Sequence, residues 1–110
     1  MMKLALSPAA AGLLRSFLAR GGIDRDRILL TEFRSTDWQS LTFVGERHRM
    51  LLRVPGPGAD DLVARLVDGL ADAEFSIVGQ IVADIGLERP PTRNGDGSIT
   101  VMIEALTIAE

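Results

Sequence analysis

Between positions 47 and 54 the chain alternates cleanly: His48, Met50, Leu52 and Val54 fall on one side, while Arg47, Arg49, Leu51 and Arg53 fall on the other. Successive side chains of a strand point to opposite faces, so this run predicts a sheet with one apolar face that something else must cover. Two helical segments are available to do so. Ser7 followed by Pro8 reads as a helix start, with a hydroxyl to cap free N–H groups and a proline where its missing N–H costs nothing. Ala10, Leu13, Leu14, Phe17 and Leu18 then recur on one helical face, and Gly21-Gly22 supplies the stop. After Pro55-Gly56-Pro57-Gly58, Asp60 and Asp61 suit the first turn of a second helix, whose buried side is Leu62, Val63, Leu66, Val67 and Leu70.

Runs of strand formers at 27–34, 41–44, 47–54, 77–87 and 99–108 complete the pattern. Polar Ser35-Thr36-Asp37 and the pair Gly45-Glu46 are expected to turn the chain between the first three, and Asn94-Gly95-Asp96-Gly97 to loop before the last. The order is then α-β-β-β-α-β-β. It gives a single α+β domain over 1–110, an antiparallel sheet of about five strands with two helices packed on one face. A further short strand at 3–6 would make the chain begin βαββ, which suits a ferredoxin-like plait with an added strand.

Composition removes several function classes. A chain of 110 residues buries enough surface to fold without a staple, and its lack of cysteine excludes a disulfide framework, thiolate metal ligands and a cysteine nucleophile. No run approaches the roughly 18 apolar residues of a membrane span, so no membrane association is expected and the cytoplasm is the expected compartment. Net charge is −3, unevenly spread: positions 1–55 hold nine basic and five acidic residues, and positions 56–110 hold three and ten. Such a split lets the two halves attract each other, within one chain or between copies.

Chemistry-bearing residues are few. His48 is the only histidine, and its neighbours Met50, Leu52 and Val54 place it on the core face, as a structural rather than a catalytic group. Nothing has metal-ligand spacing, so no metal and no cofactor is expected, and no catalytic residue is assigned. If a small molecule binds, the polar stretch around the only tryptophan is the place, with Arg34 for an anion, Trp38 as an apolar wall, and Asp37 and His48 beside them. Arg47, Arg49 and Arg53 form a basic stripe that resembles an RNA platform, but the aromatic residues that stack bases are missing beside it, so nucleic acid ranks third. Asp84 and Glu104 on the later strands are expected to answer these arginines instead.

The second sheet face is the informative one. A face left to water should be polar, yet Leu51, Val82, Met102, Leu106 and Ile108 are expected on it. Burying each contributes about 1.5–3 kcal/mol, so a contiguous patch calls for a cover. The expectation is a homodimer through this face, with Arg47, Arg49 and Arg53 at the contact, in a non-enzymatic structural or interaction module.

Overall fold

The computed structural model describes residues 6–110. The proposed strand at 3–6 lies, apart from Leu6, outside the described residues. Helix α1 (Pro8–Arg20) starts as its sequence dictates: the Ser7 hydroxyl accepts from the Ala10 N–H and in turn donates to Glu46. Ala9, Ala10, Gly12, Leu13, Leu14, Phe17 and Leu18 are its buried residues. Helix α2 (Ala59–Val67) carries Asp60 and Asp61 in its first turn and buries Leu62, Val63 and Leu66. A single 3-10 turn at Leu70–Asp72 follows it.

The strands are β1 (Leu29–Gln39), β2 (Val44–Val54), β3 (Gln80–Leu87), β4 (Thr92–Arg93) and β5 (Ile99–Ala109). They form an antiparallel five-stranded sheet in the order β1-β2-β5-β3, with short β4 pairing the start of β5. The α+β class, two helices and five strands stand, but the strands are distributed as α-β-β-α-β-β-β.

Two differences make the shift: the stretches at 41–44 and 47–54 belong to one strand and its preceding turn, and Thr92–Arg93 adds β4. Ser35, Thr36 and Asp37 do not turn the chain; they lie within β1, opposite His48, Arg47 and Glu46 of β2. The turn comes later, where Ser40 N–H bonds to the Phe43 carbonyl and the Ser40 hydroxyl accepts from the N–H groups of Thr42 and Phe43. Gly45 and Glu46 are likewise in the strand. A Cβ on Gly45 would lie 2.0 Å from the Thr107 carbonyl oxygen, so the glycine serves close strand approach and not a hairpin turn.

Following the register across the sheet separates its two faces. On the inner face, Leu87, Ile103, Met50 and Phe33 form one row, and Val101, Leu52 and Leu30 the next. Met50, Leu52, Val54, Ile99, Val101 and Ile103 pack here in the same core as Leu13, Phe17, Leu62 and Leu66 of the helices. Both helices thus serve one face. The other face carries Glu32, Arg34, Trp38, Arg47, Arg49, Leu51, Arg53, Met102, Glu104, Leu106 and Ile108.

Candidate interaction surface

Rows on the open face change character along the strands. At the end marked by the β1–β2 turn, the row reads Ile81, Ile108, Gly45, Trp38. Asp84, Leu106, Arg47 and Thr36 come next, then Gly86, Glu104, Arg49 and Arg34, then Met102, Leu51 and Glu32. Ile81 is 53% exposed, and Ile108, Leu106 and Trp38 are half-buried. Four more exposed apolar side chains gather at this same end: Leu41, Phe43 and Val44 at the turn, and Val78 just before β3. The apolar surface is therefore the end of the sheet, not its centre.

The chain itself covers much of the remainder. Met102 is only 7% exposed, with the Arg89 guanidinium against its sulfur, and the Glu88 N–H bonds to its carbonyl. Leu51 is half-buried beside it. Val82, expected on this face, belongs to the other: it pairs with Thr107 and packs on the core. The cause is a bulge at Ala83, which inserts one residue and reverses the parity between Val82 and Asp84. Of the five residues expected in the apolar patch, Val82 thus lies on the helix face and Met102 is covered, while Leu106 and Ile108 stand on the open face in the rows of Ile81 and Trp38.

Charges on the open face also find partners other than those expected. Arg49 pairs with Glu88 at 2.9 Å, Arg53 with Asp96 and with the Ser98 hydroxyl, and Arg34 with Glu32 at 2.9 Å. Among the described residues, Asp84 and Glu104 make no ion pair, and neither does Arg47. Glu32 within β1, Glu88 just after β3 and Asp96 in the loop before β5 supply the anions instead, and that loop is a bonded structure: Asn94 Nδ2 donates to Ser98 and Thr100, and Asp96 accepts from the Ser98 N–H and hydroxyl. Those Ser98 bonds, reinforced by Arg53, hold the Asp96 carboxyl down to about 2.

The four residues considered for a small-molecule pocket divide between the faces. Arg34 and Trp38 lie on the open face, Asp37 and His48 on the helix face. His48 is buried, with Nδ1 2.8 Å from the Ser35 hydroxyl and Nε2 2.8 Å from the Thr107 hydroxyl. The Phe33 ring meets it edge-on at 5.9 Å. Neutral imidazole has one donor and one acceptor nitrogen, and a hydroxyl can be either, so both are satisfied. Burial lowers its pKa from 6.5, against a smaller opposing effect of the Glu46 charge. Neither hydroxyl partner is an acid that could orient the ring for catalysis. Arg34 and His48 nevertheless border one small depression of about 220 Å³, together with Thr36, Arg47, Arg49, Glu104 and Ala105, whereas Trp38 and Asp37 do not line it.

Among the described residues no group of three or more His, Asp or Glu side chains could hold a metal ion, and no helix is long and apolar enough to cross a membrane. No family model and no curated protein matches this chain. A chain in the solved structure "Virion of native gene transfer agent (GTA) particle" is similar in fold, with a TM-score of 0.57 and 18% identity over 74% of this chain and 68% of that one.

Proposed function

We propose that this chain is a non-enzymatic structural module of the cytosol that associates with copies of itself. The observation that carries the reading is the open face of the sheet, where Ile81 is exposed and Ile108, Leu106 and Trp38 are only half-buried, at the end that also carries exposed Leu41, Phe43 and Val78. A fully exposed apolar side chain gains about 1.5–3 kcal/mol when it is completely removed from water, and a half-buried one correspondingly less. A second copy is the smallest cover, which makes a homodimer the minimal assembly. Arg47, Asp84 and Glu104, without an ion pair among the described residues, lie in the next rows, where charges of a neighbouring copy would meet them. Likeness in fold to a chain of a multi-subunit particle is in keeping with a building-block role.

Light scattering over a concentration series tests this, with the emission of the only tryptophan as a second readout. The expected result is a mass of two or more copies at tens of micromolar, an order of concentration at which modest interfaces form. Trp38 emission should shift to the blue as the assembly forms. A species that stays monomeric throughout, with unchanged emission, would remove the reading.

A further inference from the structure

We infer that copies of this chain join edge to edge, the free side of β1 in one copy pairing with the free side of β3 in the next, so that the sheet continues through the assembly. This rests on the self-association reading above and names the surfaces that meet. Among the described residues, β1 bonds on one side only, to β2, and β3 on one side only, to β5. Such an unpaired edge, eleven residues long in β1, is a template for another strand. The three pairings from β1 through β2 and β5 to β3 are all antiparallel, so β1 and β3 run in opposite directions. A neighbour in the same orientation therefore presents its β1 antiparallel to β3, with its open face on the same side.

The rows match across such a junction. Extending each one sets Trp38 beside Ile81 of the next copy, Thr36 beside Asp84, and Phe33 beside Leu87. Ile81 and Leu87 are exposed in the isolated chain, and Trp38 and Phe33 only half-buried, although the central members Met50 and Ile103 of the Phe33–Leu87 row are fully covered. The junction thus shelters the apolar side chains that each edge leaves in water.

Charge is in keeping with unlike edges. Arg34 on β1 is already bonded to Glu32 of its own strand and Arg49 to Glu88, which leaves Arg47, one strand in from the β1 edge, without an ion pair among the described residues. Extending the rows brings exposed Asp84 of the next copy into line with Thr36 and Arg47, whereas two β3 edges meeting would set Asp84 near Asp84. The row match makes the contact heterologous. Each assembly keeps one free edge of each kind and accepts further copies unless its curvature closes it into a ring. Bulges at Thr31 and Ala83 limit the regular stretches to 32–39 and 84–87.

The chain lacks cysteine, so introduced thiols report without background. Thr36→Cys and Ala83→Cys, both at exposed edge positions, are combined in one chain and treated with a short bis-maleimide. A ladder of cross-linked species from the double variant, with each single variant remaining uncross-linked, is the expected result. A cross-linked dimer from Thr36→Cys alone would mean that like edges meet and would overturn the inference. Assembly seen by light scattering without any ladder would overturn it while leaving self-association intact; a monomer without a ladder would end both. Charge exchange gives an independent check. Arg34→Glu should raise the concentration for half-assembly about tenfold, and adding Asp84→Arg in the same chain should restore it. Failure of the exchange to restore assembly in a folded double variant overturns the edge pairing.

Discussion

His48 shows how one side chain can be polar, buried and still structural. Its two ring nitrogens are taken up by Ser35 and Thr107, and burial keeps its pKa below the ordinary 6.5. The unfolded chain then takes up a proton before the folded one does. The contribution of His48 to stability is complete above 6.5 and is lost progressively as pH falls through 6.5 towards the lower folded value. Urea midpoints measured from about pH 8 down to about pH 5 should therefore decline on the acid side, and His48→Gln should flatten that decline. Thr107→Val removes the hydroxyl that meets Nε2 and leaves that nitrogen without a partner in a buried site, for an expected loss of about 1–3 kcal/mol. The pairing of His48 with Thr107, 59 positions away, had no signal in the sequence, because neither residue type announces its partner. Placing the histidine on the core face needed only the alternation of 47–54.

Gly45 makes the same point for an element. With a Cβ 2.0 Å from the Thr107 carbonyl oxygen, Gly45→Ala forces β2 and β5 apart along their central ladder. An expected destabilisation of about 2–4 kcal/mol should appear in the urea midpoint, as for other overpacked core positions. Read from sequence, that glycine suggested a turn, since glycine beside a polar residue is the usual hairpin chemistry. The ten-residue pairing of β2 with β5 overrode the local signal and carried β2 back through Gly45, and pairing with Gln39 of β1 extends it to Val44. Ser35, Thr36 and Asp37 have turn chemistry yet stay in the strand for a related reason: on an edge strand, polar residues face water or a partner such as His48 without ending the strand. Helix starts, the Pro55–Gly58 break and the last strand were legible because each rests on local geometry. The bulge at Ala83 was not, and it moved Val82 to the helix face. In the loop before β5, Asp96 depends on bonds from Ser98 and on Arg53; its contribution is present above the ordinary carboxyl value of 3.8 and lost as pH falls to about 2. Asp96→Ala should raise amide exchange at Ser98 and leave the global midpoint little changed, because the carboxylate is exposed.

For the whole molecule, the two helices lie against one face of a sheet whose other face is sheltered at its centre by Glu88 and Arg89 and at one end by Asp96, and is least covered at the opposite end, around Ile81 and Trp38. That arrangement separates two contributions to assembly which salt can resolve. Ionic attraction between the Arg34 edge and the Asp84 edge is screened over roughly 10 Å at 0.1 M salt and over about 3 Å at 1 M. Contact among Trp38, Ile81 and Ile108 is apolar and is not screened. Raising salt from about 0.05 to 1 M should therefore weaken assembly without abolishing it, as read by sedimentation velocity. Ile108→Lys places a charge in the centre of the apolar row, next to Ile81 and across from Gly45. Because Ile108 is half-buried on the open face and outside the helix-packed core, the variant should fold. It should nevertheless stay monomeric at every salt concentration, since an introduced ammonium would have to be desolvated against isoleucine and tryptophan. Full assembly of a folded Ile108→Lys chain would show that the bare end of the sheet is not where copies meet.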